Sequence, residues 1–294
     1  MLPAMARKLR VAIVGPGRLG SALARGLKRA GYRVQEIVSR ERTGSQRRGR
    51  ELARRLRARA VTTKTARLDA QLVWLCVPDR EIAKVARQLA GTGSWRGKVA
   101  FHPSGALGSD ELDALREKGA SVAAVHPFMT FVSRSSPGLD AVPFGVEGDE
   151  AALRMARRVI RDLGGEAFSI SKSTKAAYHA WGAFLSPLLV SLLITGERVA
   201  MMAGFSASQA RQWALPIVQQ TVANYARLGP AEAFSGPVVR GDAMVVKKHL
   251  DVLKKIPSAR EVYIALGNSA LENLPTRNRV QLRKVLKRFS KVKT

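Results

Sequence analysis

Three glycines that follow an apolar strand constrain this chain more than any other feature. Residues 9–14 are mostly apolar and β-branched, and they lead directly into Gly15-Pro16-Gly17-Arg18-Leu19-Gly20. A helical pattern opens immediately afterwards. In such a unit the first glycine permits a tight bend, the second lets the backbone approach a pyrophosphate, and the third lets the helix pack on the strand. The free N–H groups at the helix N-terminus suit the phosphates. The sequence therefore predicts a dinucleotide site at residues 15–20.

Alternating strand and helix patterns continue through the first half of the chain. Further strands are predicted at residues 33–40, 61–63, 72–77, 98–101, 121–125, 142–146 and 166–170. Charged or amphipathic helices separate most of them, including one at residues 45–60 and one at residues 79–90 that Asp79 could cap. From residue 175 onward only helical patterns remain. We therefore predict an α/β protein, with a Rossmann-type, doubly wound and mostly parallel sheet over residues 1–172 and an all-α domain over residues 173–294.

Composition and charge narrow the class of protein. The single cysteine, Cys76, excludes a disulfide framework and a multi-cysteine metal cluster, and its apolar surroundings predict a buried structural thiol. No metal site is predicted. The apolar run at residues 181–195 contains Pro187 and is shorter than the roughly 20 residues of a membrane span, so it predicts a buried, bent helix. The N-terminus has no long apolar region. We expect a cytoplasmic protein without a membrane partner.

The formal net charge of +28 predicts attraction to anions. Basic residues concentrate at residues 40–67 and in the tail at residues 277–293, where a helix with an apolar stripe of Leu282, Phe289 and Val292 should pack. No zinc finger, recognition helix or aromatic-plus-basic motif accompanies the charge. We therefore do not predict specific nucleic-acid binding, although polyanion binding stays an alternative.

The end of the second predicted strand bears on the choice of cofactor. It reads Ser39-Arg40-Glu41-Arg42. Sites for NAD(H) usually carry an acid here, about 20 residues after the glycines, to bind the ribose 2′-hydroxyl. A serine hydroxyl and two guanidinium groups suit a 2′-phosphate instead. The segment favours NADP(H) over NAD(H), with the alternative that Arg40 and Arg42 belong to a solvated basic surface. Arg18 is predicted to approach the phosphates or to face water.

The chain has only four histidines, and two of them directly follow predicted strands. His102 opens the segment at residues 102–106, and His126 opens the one at residues 126–131. The carboxyl ends of strands are where open α/β sheets bind ligands. Histidine exchanges a proton near neutral pH, as the reduction of a carbonyl or imine requires. Ser104 is predicted to contact the nicotinamide or a substrate oxygen. A hydrogen-bonded packing role stays open for each histidine.

Two further pairs are candidates for substrate contact. Lys175 and His179 are four residues apart, so they share one helix face that could meet the substrate. Arg240 and Asp242 follow a Gly-Pro turn. We expect Arg240 to contact an anionic ligand and Asp242 to cap the helix that follows.

Several segments together resemble one protein family. They are residues 15–20, Val77-Pro78-Asp79, residues 102–106, residues 126–131, Tyr178-His179-Ala180 and residues 235–242. The chain resembles oxidoreductases in which a Rossmann-like domain precedes a conserved helical domain of unknown function. The resemblance implies an NAD(P)-binding domain and a helical domain similar to the C-terminal domain of 6-phosphogluconate dehydrogenase, a group that includes pyrroline-5-carboxylate reductase, prephenate dehydrogenase and ketopantoate reductase.

The resemblance also implies roles for individual residues. Prephenate dehydrogenases have a comparable His-Pro, which supports His126 as a ligand-facing residue. Hydroxyacid dehydrogenases place a catalytic lysine, and an asparagine four residues later, where this chain has Lys175 and His179. Ser186 and Ser235 depart from the usual asparagine and threonine, and the first departure weakens detailed substrate inference. The predicted cofactor contacts are Gly15, Pro16, Gly17, Arg18, Leu19, Gly20, Ser39, Arg40, Arg42, Val77, Pro78, His102 and Ser104.

These observations combine into one leading hypothesis. The chain is predicted to be an NADP(H)-dependent oxidoreductase that transfers a hydride to or from a small anionic carbonyl, imine or hydroxyacid compound. The predicted catalytic residues are His126, His179, Lys175, Ser104 and Arg240. The alternative is a non-catalytic NADP(H)-binding sensor. Because the second half has more apolar helix than one sheet face can cover, we also predict a homodimer through the helical domain.

Overall fold

The computed structural model of the chain describes residues 9–132 and 138–290. Two compact units share these residues: the first extends to Ala183 and the second begins at Phe184. The sequence places a domain boundary between residues 172 and 173, whereas in the structure the next turns of helix pack with the first unit. Lys175 and Tyr178 are both buried there. Two of the predicted site residues, Lys175 and His179, therefore belong to the same compact unit as the sheet.

The first unit is built on one eight-stranded sheet. Its order is β3-β2-β1-β4-β5-β6-β7-β8, and the direction of winding reverses between β1 and β4. Strands β1 to β6 are parallel, β7 is antiparallel to β6, and β8 is parallel to β7. The predicted α/β class with a doubly wound, mostly parallel sheet is confirmed. The strands are β1 Arg10–Val14, β2 Arg33–Ser39, β3 Arg59–Thr62, β4 Leu72–Leu75, β5 Val99–His102, β6 Ser121–Pro127, β7 Pro143–Gly148 and β8 Glu166–Ser169.

Helices cover both faces of this sheet. The core on one face contains Leu23, Leu27 and Val159, and the core on the other face contains Ile82 and Leu89. All five side chains are fully buried, so apolar side chains cover each face of the sheet. The helices of this unit are α1 Arg18–Arg29, α2 Thr43–Leu56, α3 Ile82–Ala90, α4 Asp113–Arg116 and α5 Glu150–Asp162, and α6 Lys175–Leu185 begins in it.

Two local predictions in this unit are wrong. Helix α2 ends at Leu56 rather than at residue 60, because Arg57 adopts the left-handed conformation with φ 55° and β3 begins at Arg59. Asp79 does not cap a helix. It opens a short 3₁₀ turn before α3, and its carboxylate accepts a hydrogen bond from the Ser104 hydroxyl at 2.8 Å.

The described part of the second unit is entirely helical, as predicted. Its core joins α10, α11 and α12 through Leu250, Leu271, Leu282 and Phe289. The apolar stripe predicted for the last helix packs in this core, although Val292 lies outside the described residues. The helices are α7 Pro187–Met202, α8 Ala207–Ala233, α9 Pro237–Arg240, α10 Ala243–Leu253, α11 Pro257–Asn273 and α12 Arg279–Ser290.

The apolar helices α7 and α8 are exposed, which corrects the predicted buried helix. Val190 on α7 is 63 % exposed, and Ile217 on α8 is 68 % exposed. By length and composition alone the run Lys172–Met202 could cross a membrane, with a mean hydropathy of 1.5 over its most apolar window and 6 % of that window buried. The helix is broken at Ser186, where Pro187 starts α7. A single chain leaves this surface uncovered.

Candidate functional site

The glycine loop has the geometry that a bound pyrophosphate needs. Gly15 has φ +99°, and a Cβ there would lie 2.3 Å from the carbonyl oxygen of Cys76. A Cβ at Gly20 would lie 2.1 Å from the carbonyl oxygen of Gly15, whereas one at Gly17 would meet nothing within 4 Å. Helix α1 begins at Arg18 with no side-chain cap and no acid in its first turn. Its N–H groups are therefore free to bind an anion.

A cavity of about 160 Å³ adjoins this loop. Seven of the predicted cofactor residues line it: Gly15, Pro16, Gly17, Ser39, Arg40, Val77 and Pro78. The predicted Arg18, Leu19, Gly20 and Arg42 do not line it. Sequence reasoning missed three polar lining residues, Ser45, Arg48 and Thr63, whose positions depend on how α2 and β3 pack beside β2.

The far end of this cavity is basic and has an open helix terminus. Helix α2 begins at Thr43 without a capping side chain and without an acid in its first turn. Arg40, Arg42 and Arg48 are exposed around it. Ser39 is 4 % exposed, and its hydroxyl donates to the Val61 carbonyl at 3.3 Å. The arginines and the helix terminus can therefore hold a phosphate, while the Ser39 hydroxyl is already engaged.

His102 and Ser104 have structural roles, unlike the ligand contacts predicted for their side chains. His102 is fully buried; its Nε2 donates to the Gly108 carbonyl at 2.8 Å, and its Nδ1 accepts from the Ser104 N–H at 3.2 Å. Burial lowers the pKa of His102 to about 4, so the ring is neutral. The Ser104 hydroxyl donates to Asp79 and accepts from the backbone N–H groups of Ala106 and Leu107. Both side chains shape the loop after β5.

His126 lies at the end of β6 beside the first turns of α6. Its Nδ1 is 2.7 Å from the Tyr178 hydroxyl, and its ring lies 6.5 Å from that of His179. Burial lowers the pKa of His126 to about 4, helped by the charges of His179 and Lys175. A neutral imidazole therefore occupies this position. The structure brings together His126, His179 and Lys175, as predicted.

Gly105 supplies the space between the two imidazoles. A Cβ at this position would lie 3.0 Å from His126 Nε2 and 3.0 Å from His179 Cδ2. Its backbone φ is ordinary, so it is the space, rather than an unusual conformation, that requires glycine here. The sequence segment around His102 contains this glycine, but only the fold shows what it faces.

Lys175 is the most unusual group of the site. It is 2 % exposed, and within the described residues its Nζ has no hydrogen-bond partner. Burial lowers its pKa. The acids that oppose this effect have partners elsewhere: Glu147 with Ser109, Asp110 with Lys172, and Asp79 with Ser104. A buried amine that has no partner among the described residues is costly, which makes Lys175 a candidate functional position.

An aromatic group that the sequence analysis did not single out adjoins His126. Phe128 stacks on Trp181 with ring centroids 4.3 Å apart, and its ring lies 6.4 Å from that of His126. Gly182 allows this approach, because a Cβ there would lie 3.1 Å from Phe128. Trp181 is 52 % exposed. His126 is therefore bordered by an apolar wall of Phe128 and Trp181.

The second unit holds the remaining predicted residue, Arg240, which is exposed at the end of α9. Asp242 caps α10, as predicted, by accepting from the Val245 N–H at 3.1 Å. In the same unit His249 Nδ1 is 3.0 Å from the Tyr263 hydroxyl. Within the described ranges, no three histidine, cysteine, aspartate or glutamate side chains are grouped to hold a metal ion.

Two sequence families match successive parts of the chain. A Rossmann-like domain matches residues 4–127, and a domain of unknown function, DUF2520, matches residues 142–270. The chain is a Rossmann-like protein with a DUF2520 domain. This agrees with the family that its motifs resemble. The DUF2520 match begins just before β7 and ends within α11, so it includes Lys175, Tyr178 and His179 but leaves out α12. No curated protein sequence is significantly similar to the chain.

Solved structures share the fold over nearly the whole length. Protein TM1727 from Thermotoga maritima has a TM-score of 0.70 at 25 % identity, covering 96 % of this chain and 100 % of its own. A candidate NADP oxidoreductase, BF3122 from Bacteroides fragilis, has a TM-score of 0.73 at 18 % identity, covering 90 % and 98 %. A reductive aminase from Aspergillus terreus, in complex with NADPH and ethyl-5-oxohexanoate, has a TM-score of 0.64 at 14 % identity, covering 94 % and 99 %.

Proposed function

We propose that the protein is an NADP(H)-dependent oxidoreductase that acts on a small anionic carbonyl, imine or hydroxyacid compound. The observation that carries this proposal is the buried amine of Lys175, which has no hydrogen-bond partner among the described residues and whose charge acts on His126. His126 lies at the carboxyl end of β6, and the glycine loop follows β1; the carboxyl ends of these parallel strands meet at one edge of the sheet. Cofactor and reacting groups would thus share that edge.

The cofactor fits the residues that are present. Gly17 leaves open space where a pyrophosphate would lie, and the N-terminus of α1 offers free donors. Arg40 and Arg48 border the cavity where the 2′-phosphate of NADP(H) would be held. When bound, NADPH supplies the hydride. The similar solved structures include a candidate NADP oxidoreductase and a reductive aminase with NADPH, which supports the same class of cofactor.

The protein's own groups would bind the substrate and hold its proton. Lys175 offers an ammonium group, or a neutral amine where its lowered pKa allows, to a polarised oxygen or a carboxylate. His126 offers a neutral ring, and His179 borders it across Gly105. Arg240, in the second unit, stays a predicted contact for an anionic ligand. His102 and Ser104 would act through the loop that they shape, rather than by contact.

The test is turnover of NADPH with a panel of keto acids and cyclic imines, followed by absorbance. We expect turnover with at least one compound, and we expect Lys175→Met and His126→Asn each to lower it by about 100-fold or more without weakening NADPH binding. The matched control is Lys98→Met, which removes a lysine outside the site. Tight NADPH binding without turnover across the panel would favour the non-catalytic sensor.

A further inference from the structure

Tyr178 is hydrogen-bonded to His126 through its hydroxyl group. Its hydroxyl lies 2.7 Å from His126 Nδ1, although the two residues are 52 positions apart. Tyr178 is 8 % exposed. Throughout residues 9–132 and 138–290 its hydroxyl has no other hydrogen-bond partner. The phenol thus has one available acceptor, the imidazole nitrogen.

We propose that Tyr178 is a positioning residue: its hydroxyl donates a hydrogen bond to His126 Nδ1, and so holds the neutral imidazole in the tautomer that carries its proton on Nε2. The reverse arrangement would let His126 Nδ1–H donate to the phenolic oxygen, which would leave the buried phenolic proton without an acceptor. Buried donors in folded proteins are satisfied with few exceptions. This inference rests on the proposed function, because it concerns the same reacting site.

Strand β7, which pairs with β6, leaves little room around the Tyr178 hydroxyl. Gly145 on β7 pairs with His126 on β6. A Cβ at Gly145 would lie 2.9 Å from the Tyr178 hydroxyl oxygen and 2.2 Å from Ile170 Cδ1. The glycine therefore leaves room for the phenol directly opposite the imidazole. Aromatic contacts with Phe128 at 5.4 Å and Phe168 at 5.9 Å hold the tyrosine ring.

The other ring nitrogen of His126 faces the space that Gly105 keeps open. Nε2 lies 3.0 Å from the position that a Cβ of Gly105 would occupy. With its proton on Nε2, His126 donates into this space. A carbonyl oxygen has lone pairs that accept such a bond, whereas the nitrogen of an iminium ion has none. The fixed tautomer therefore selects a carbonyl compound over an iminium ion as the group that is reduced.

Long-range proton–nitrogen NMR of the histidine rings tests this directly and needs no substrate. The chain has only four histidines, so His126→Asn assigns the signals of His126 by their loss. In the wild-type protein we expect a single neutral tautomer at neutral pH, protonated on Nε2. Tyr178→Phe keeps the aromatic packing and removes only the hydroxyl, and we expect it to give a mixture of the two tautomers.

Tyr263→Phe is the matched control, because it removes a hydrogen bond of the same kind from His249. It should alter the signals of His249 and leave those of His126 unchanged. Gly145→Ala is a second variant, which keeps the hydroxyl and displaces it, and we expect the same mixture as in Tyr178→Phe. An Nδ1–H tautomer in the wild-type protein, or a Tyr178→Phe variant whose His126 signals are unchanged, would overturn the proposal.

Kinetics give a separate measure for any compound that the enzyme turns over. Tyr178→Phe should lower kcat about 10-fold, with the dissociation constant of NADPH unchanged, because the imidazole is no longer held in one orientation. An unchanged kcat would overturn the positioning role. The NMR result and the turnover assay fail independently, since the tautomer is measured whether or not the protein is an enzyme.

Discussion

Lys175 combines almost complete burial with an amine that has no hydrogen-bond partner within residues 9–132 and 138–290. It is 2 % exposed, and the acids near it are bonded to Ser109, Lys172 and Ser104. Removing an amine from water without a compensating hydrogen bond costs free energy, which a folded protein tolerates mainly where function needs the group. The site thus holds a reactive group at the expense of stability.

Replacing this lysine should therefore stabilise the protein. We expect Lys175→Met to raise the free energy of unfolding by about 1–2 kcal/mol while it lowers turnover by about 100-fold or more. Lys98→Met is the control, because Lys98 Nζ donates to the Leu68 carbonyl at 2.7 Å and its removal should destabilise by about 1 kcal/mol. Urea unfolding of the three proteins measures both effects. A Lys175→Met protein less stable than the wild type would contradict this account.

The two buried histidines make stability depend on pH. His102 and His126 have pKa values of about 4 in the folded protein, chiefly because of burial, against about 6.5 when unfolded. Between these values the unfolded chain binds more protons, so the free energy of unfolding falls as the pH falls. Each histidine should contribute a loss of about 2 kcal/mol between pH 7 and pH 5.

Urea unfolding at pH 7 and pH 5 measures this loss. His126→Asn removes one of the two groups, so the difference in unfolding free energy between the two pH values should shrink by about 2 kcal/mol. Equal stability of the wild-type protein at both pH values would show that the two rings are not held neutral.

At the scale of elements, we propose that the junction of β2 and α2 selects NADP(H) over NAD(H). The uncapped N-terminus of α2 and the exposed Arg40 and Arg48 create a positive field at one end of the cavity. We expect NADPH to bind more tightly than NADH, and Arg40→Ala to weaken NADPH about 10-fold while leaving NADH nearly unchanged. Titration of protein fluorescence with each cofactor measures this.

Arg50→Ala is the matched control for the cofactor titration. Arg50 is exposed on α2 and does not line the cavity beside the glycine loop. If general positive charge alone attracted the cofactor, Arg50→Ala and Arg40→Ala would weaken NADPH equally. Equal affinities of the wild-type protein for NADPH and NADH would contradict the assignment of the 2′-phosphate to this junction.

At the scale of the whole molecule, helices α7 and α8 expose many apolar side chains. No residue of α7 is buried, and Ala210 is the one buried residue of α8. Exposed apolar surface on this scale is typical of an interface. We propose that a second copy of the chain covers it, and light scattering after size exclusion should give the mass of a dimer.

Single charges should separate such a dimer. We expect Ile217→Glu on α8 or Val190→Glu on α7 to yield monomers at micromolar concentration, because a carboxylate would be buried against apolar side chains. Val280→Glu is the control, since Val280 is 72 % exposed on α12. A wild-type monomer that instead binds lipid vesicles would refute the dimer and favour a membrane surface. The predicted cytoplasmic location remains a prediction.

Local sequence patterns determined most of the elements and pointed to the segments that carry the candidate site. Strand and helix periodicity predicts the sheet, and the glycine spacing predicts the turn whose first glycine has φ +99°. Both signals depend on residues that are close together in the sequence, so local backbone geometry is enough to produce the strands, the helices and the turn. The sequence also places His126, Lys175 and His179 at segments that the fold brings together.

Tertiary structure alone decided what each side chain does. His102 and Ser104 match the pattern of ligand-facing residues. In the structure, however, the His102 ring is hydrogen-bonded to the Gly108 carbonyl, and the Ser104 hydroxyl is hydrogen-bonded to Asp79. Tyr178 belongs to a segment that carries the family resemblance, but the sequence does not show its partner, because His126 lies 52 residues away. Hydrogen-bond saturation and burial depend on contacts between distant segments, and no local pattern encodes them. Within the described residues the Lys175 amine lacks a partner because the acids around it are paired with other groups, and only the tertiary structure shows those pairs.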